Sequence, residues 1–77
     1  MAENFFPEGT AVQIKVGNLR FPGKVLAYNY MLHRYRIEVM EHTEFELASY
    51  MKPEERFERI FNVSEADVEL REASPQV

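Results

Sequence analysis

Apolar and polar residues alternate with a period of two through most of the chain. From Thr10 to Val16, Val12, Ile14 and Val16 fall on one side, with Ala11, Gln13 and Lys15 on the other. That is the pattern of a half-buried strand. Pro7-Glu8-Gly9 reads as the turn that launches it, and Gly17-Asn18 as the turn that ends it. A second run, Gly23 to Tyr30, sets Val25, Ala27 and Asn29 against Leu26, Tyr28 and Tyr30. Apolar groups on both sides predict a long, bent strand shared between two sheets, and Gly23 is placed to supply the bend or a close backbone approach. Arg34 to Val39 alternates most clearly, with Tyr35, Ile37 and Val39 facing in and Arg34, Arg36 and Glu38 facing out. The short Met31-Leu32-His33 connection makes the second and third runs a hairpin.

The rhythm breaks between Glu41 and Glu55. Thr43 to Glu46 fits a capping box, in which Thr43 caps and Glu46 reaches back. Phe45 shares a helical face with Ser49, as Leu47 does with Tyr50 and Met51, and Pro53 limits any continuation. A short helix near 44–51 is expected; the competing reading makes 43–48 a strand. Alternation returns over Arg56 to Val63, where Phe57, Arg59, Phe61 and Val63 oppose Glu58, Ile60 and Asn62. Ser64 is placed to cap a single polar turn through Asp67, and Val68-Glu69-Leu70 is a brief last strand. The expected product is one mostly-β domain over 1–77, with its core in about 8–71 and frayed ends at 1–5 and 72–77.

Composition narrows this further. A chain of 77 residues allows one domain with a thin core. It has no cysteine, so no disulfide or thiolate–zinc staple can compensate. Packing must suffice, and six Phe, four Tyr and many Val, Ile and Leu supply it. Cysteine absence fits a reducing compartment. No run approaches the roughly 20 apolar residues of a membrane span. The opening MAENFFPEGT lacks the basic start and apolar stretch of a signal peptide. A cytoplasmic protein is expected (nuclear if eukaryotic), with no membrane association. The net charge of −4 is uneven: five basic and two acidic residues through Ile37, then four basic and eleven acidic from Glu38 onward. Two differently charged solvated faces account for that; the sharper reading is a basic patch that meets an acidic partner.

Four segments carry a family likeness: Glu8-Gly9-Thr10-Ala11-Val12, Phe21-Pro22-Gly23-Lys24-Val25-Leu26, Arg34-Tyr35-Arg36-Ile37-Glu38-Val39 and Val63-Ser64-Glu65-Ala66-Asp67-Val68-Glu69-Leu70. Their order resembles an SH3-like small barrel of the Tudor type, over roughly residues 8–71. The resemblance implies a five-stranded barrel with a short helical insertion. It also implies a cation–π cage for a methylated Lys or Arg, with Phe21 as one wall and Tyr28, Tyr30 and Tyr35 as possible others. The D-Y-G that usually follows the third strand is replaced by Met40-Glu41-His42-Thr43. That departure removes a cage aromatic and its acidic partner. The likeness supports the fold more than the function.

Catalytic chemistry finds little here. Ser49, Ser64 and Ser74 lie in no elbow or triad context. Gly9, Gly17 and Gly23 are too scattered for a phosphate loop. Thirteen carboxylates pair by chance, and the spacing of His33 and His42 matches no zinc motif. No enzyme activity, metal or cofactor is expected. The expected function is a non-catalytic interaction module or small regulator that binds a protein or peptide. Its candidate contacts are Phe21, Tyr28, Tyr30, Met31, Leu32, Arg34 and Arg36, on a basic-aromatic strand face and a hairpin tip. The tip residues either fold back onto Phe45, Tyr50 and Met51 or stay exposed and anchor a partner, a second copy of the chain included. The alternatives are an RNA or single-stranded DNA binder and a methyl-lysine or methyl-arginine reader. A steep loss of affinity with salt would mark the nucleic-acid case.

Overall fold

The computed structural model describes residues 6–54 and 58–71. The frayed ends expected at 1–5 and 72–77, and Arg56 and Phe57 at the start of the fourth run, lie outside them. The chain forms strands β1 (Ala11–Val16), β2 (Leu19–Asn29) and β3 (Arg34–Val39), helix α1 (Glu41–Ala48), β4 (Ile60–Ser64), a 3-10 turn (Glu65–Asp67) and β5 (Val68–Leu70). The strands make one antiparallel sheet in the order β4-β3-β2-β1-β5. This mostly-β architecture with a short helix agrees coarsely with an SH3-like fold. It departs from the expected barrel in one respect: the sheet is not closed. Strands β4 and β5 are its two edges, and the 3-10 turn carries the chain between them.

The first hairpin is tight. Val16 faces Leu19 across Gly17-Asn18, and Gly17 sits at φ +61°. A two-residue hairpin turn requires that left-handed conformation, and glycine adopts it without a steric penalty. β2 therefore starts at Leu19, before the Gly23 expected from alternation. It pairs with β1 through Leu19–Lys24 and with β3 through Gly23–Asn29. Only Gly23 and Lys24 serve both partners; the strand is long, as expected, but it is shared between two partner strands of one sheet and not between two sheets. A bulge at Leu26 shifts the register between Val25 and Ala27. Phe21, Gly23 and Val25 point inward before it; after it Tyr28 packs against the core while Ala27 and Asn29 are exposed. The bulge is why neither side of this run was consistently polar.

The core joins Val12, Ile14, Phe21, Val25, Tyr35, Ile37, Val39, Leu47, Phe61, Val63 and Val68. Helix α1 closes one side of it. Its inner face is Thr43 and Leu47, one turn apart, with Met51 partly buried beyond. The capping box is not formed. Met40 is the N-cap without a side-chain bond, and its carbonyl accepts from the backbone N–H of Thr43 and of Glu44. The helix begins where the β3 ladder runs out, after Val39 N–H donates to Arg59 C=O, and Thr43 is thereby drawn into the core. Neither Phe45 nor Tyr50 is buried. The strand reading of 43–48 fails because these residues lie within α1. The later elements match expectation: Ser64 Oγ accepts from Ala66 N–H, and Val68 is buried at the start of β5.

Gly23 lies against β3 so closely that a Cβ there would meet Ile37 Cγ2 at 2.6 Å and Glu38 O at 3.1 Å. One of these atoms is backbone and the other belongs to a fully buried β-branched side chain, so neither yields cheaply. Gly23→Ala is expected to lower unfolding free energy by about 1–3 kcal/mol, the usual cost of overpacking, read by urea denaturation. An unchanged midpoint would show that the two strands can part at no cost.

Candidate functional site

Among the described residues, the β2–β3 connection presents the longest run of large apolar side chains in water. Tyr30, Met31 and Leu32 are 71%, 87% and 61% exposed. They do not fold back onto the helical insertion, where Phe45 and Tyr50 are themselves exposed. Leaving a large apolar side chain in water forgoes about 1.5–3 kcal/mol of burial.

The turn is nonetheless held in place. Asn29 Oδ1 accepts from the backbone N–H of both Met31 and Leu32 at 3.0 Å. This is the local bond by which Asn favours turns. His33 completes the reversal at φ +55°. Glu65, across the sheet on the 3-10 turn, grips the base of the hairpin three ways. Its backbone N–H donates to His33 C=O, its carboxylate accepts from Tyr28 Oη, and the same carboxylate lies 3.8 Å from His33 Nδ1. Tyr28 Oη is also 3.3 Å from that ring nitrogen.

Aromatic rings run from the tip into the core. Tyr30 stands edge-on to Tyr28 at 4.9 Å, Tyr28 packs on Tyr35 at 4.6 Å, and Phe6 meets Tyr35 at 5.8 Å. Tyr35 is buried, and its hydroxyl accepts from Phe6 N–H at 2.9 Å. These separations are those of rings in mutual contact, so the tyrosines fill one another's faces. Phe21 is buried on another part of the core and packs towards Tyr50, 6.0 Å away. The candidate contacts therefore do not all share one face: Phe21 is buried, while Arg34 and Arg36 point outward. Tyr28, Tyr30, Met31, Leu32 and Arg34 come together around the hairpin.

Arg36 stands apart because its guanidinium is already engaged. Nε and Nη2 make a two-pronged contact with the Glu54 carboxylate, at 2.9 Å and 3.0 Å, and Asn62 Nδ2 donates to the same carboxylate at 3.1 Å. Arg34 has no ion pair among the described residues. Sequence reasoning missed Glu54, Asn62 and Glu65. Asn62 was at least legible as an outward residue of its strand, whereas the two glutamates lie 18 and 37 residues from the groups they hold.

No group of His, Asp and Glu suited to a metal ion occurs among the described residues, and no helix among them is long and apolar enough to cross a membrane. No protein-family model, curated protein or solved structure matches the chain.

The Tyr28 phenol is pushed up to about 12, chiefly by its hydrogen bond to Glu65 and further by desolvation and the nearby negative charge. Because the folded value lies above the unfolded value of 10.0, this bond supports the fold fully below pH 10. Its contribution is lost as pH rises from there towards 12. Ultraviolet titration of tyrosinate is expected to show the late ionisation of Tyr28, and Glu65→Gln to bring it down towards the ordinary range. A titration unaltered by that substitution would remove Glu65 as the cause.

Proposed function

We propose that this chain is a non-catalytic interaction module that docks a protein or peptide through the β2–β3 hairpin tip. The observation that carries the reading is the exposure of three consecutive large apolar side chains on a turn that is tethered rather than loose. Tyr30, Met31 and Leu32 supply the contact area, and Arg34 beside them supplies a charge to orient an acidic group. Asn29, Tyr28 and Glu65 hold the turn in place, so little ordering has to be lost on binding. The likeness to Tudor-type barrels belongs to this reading as the finer form of the fold. The mutual contact of Tyr28, Tyr30 and Tyr35 favours a docking surface over a cage, because a cage must leave a slot between its rings. A partner in the cytoplasm is expected, and a second copy of the chain is one form it can take.

Met31→Ser with Leu32→Ser is the direct test. Both side chains are exposed, so unfolding free energy is expected to change by no more than about 0.5 kcal/mol. Proteins retained on the immobilised chain and quantified by mass spectrometry are expected to fall at least about thirtyfold on the variant, the effect of losing an anchor worth about 2 kcal/mol. Sedimentation of the same two proteins tests self-association. Equal retention and equal mass for both would remove the tip from any interface.

A further inference from the structure

The contact between Arg36 and Glu54 shows what chemistry the outer side of the sheet accepts. Two cross-strand rows lie there, Ala27–Arg36–Asn62 and Asn29–Arg34–Ser64. Each arginine is thus flanked on both neighbouring strands by short, uncharged side chains and stands above a shallow trough. A groove of about 320 Å³ runs beside Arg36, lined by Ala27, Tyr28, Asn29, Arg36 and Asn62. The trough opens at β4, an edge of the sheet. Val39 N–H donates to Arg59 C=O, so by antiparallel alternation Ile60, Asn62 and Ser64 turn their backbone groups away from β3.

Glu54 occupies one end of this site. Its backbone N–H donates to Ile60 C=O on the outer edge of β4. Its side chain reaches over Asn62 to the Arg36 fork, and is only 23% exposed there. A backbone bond to the outer edge, with a carboxylate projecting over the face, is the kind of contact a strand-like ligand would make. We propose that the outward face of β2, β3 and β4 is a docking groove for an acidic peptide in extended conformation, and that Glu54 is its resident occupant. The proposal rests on reading the chain as a binding module and adds a second surface with a stated partner chemistry.

The spacing fits such a peptide. Arg34 and Arg36 are two residues apart on one strand, roughly 6.6 Å. Carboxylates at alternate positions of an extended peptide project to one side at the same interval. One would replace Glu54 on Arg36, and the next would meet Arg34, which has no ion pair among the described residues. A carboxylate rather than a nucleic-acid phosphate is favoured for two reasons. The group already seated is a carboxylate, and a chain of net charge −4 repels a long polyanion outside its few basic positions.

The test uses the full chain with nitrogen-15 label and two synthetic peptides of identical composition. One alternates threonine and glutamate over eight residues; the other gathers its glutamates in a block. The alternating peptide is expected to shift the Nε–H resonances of Arg34 and Arg36 and the side-chain amide of Asn62, and to bind more tightly than the block peptide. Glu54→Gln is expected to raise its affinity about two- to sixfold, since an occupied site lowers apparent affinity by the fraction that is open. Arg36→Gln and, separately, Arg34→Gln are expected to weaken it, with unchanged circular dichroism spectra. The Met31→Ser, Leu32→Ser variant should bind the peptide as the native chain does, so failure of the groove and failure of the tip are read apart. The proposal is overturned if neither the native chain nor Glu54→Gln responds, or if the two peptides bind alike. It is also overturned if an oligothymidylate, and not the peptide, moves these resonances.

Discussion

The sheet turns on the approach of β2 to β3 at Gly23, where there is room for a hydrogen and nothing larger. β2 leaves one partner and takes up another at this point, with only Gly23 and Lys24 paired on both sides. Because one strand belongs to both halves, Val12 and Ile14 of β1 and Ile37 and Val39 of β3 bury into the same core. A chain of this size has no second core to fall back on. A side chain at position 23 would push apart the two ladders that enclose the only one.

The bulge at Leu26 does as much for the surface as Gly23 does for the interior. It exchanges the two sides of β2, turning Tyr28 inward and leaving the short residues Ala27 and Asn29 outside. The inward turn starts the run of rings that ties the hairpin to Tyr35 and Phe6. The outward turn clears the space on either side of Arg34 and Arg36. One irregularity therefore prepares both an apolar tip and a polar trough.

As proposed docking surfaces, these two would work by different physics. The tip relies on apolar area, which salt scarcely affects, and on a turn held by neutral hydrogen bonds and the Glu65 carboxylate. The trough relies on charge at exposed positions, which salt screens. An exposed ion pair such as Arg36 with Glu54 contributes about 0–1 kcal/mol to stability. A clasp this weak is what the proposed exchange for another carboxylate would require.

Strand positions, inward residues and the capped turn at Ser64 were legible because alternation and local side-chain bonding are properties of neighbours in the chain. β3 has the bounds its pattern marks out, Arg34–Val39. The start of α1 was not legible, because it is set by where the β3 ladder ends rather than by Thr43. The bulge at Leu26 and the open edges are choices of pairing between strands, which alternation within one strand does not record. The candidate contacts divided on the same line. Exposure of Tyr30, Met31 and Leu32 follows from their place in a short turn. The burial of Phe21, the grip of Glu65 on Tyr28 and the seat of Glu54 on Arg36 exist only once distant segments meet. The sequence by itself determined which side chains face in along β1, β3 and β4, since an uninterrupted strand keeps its period. Only the tertiary structure decided which charges are spent on each other, since an ion pair depends on distance in space and not on separation along the chain.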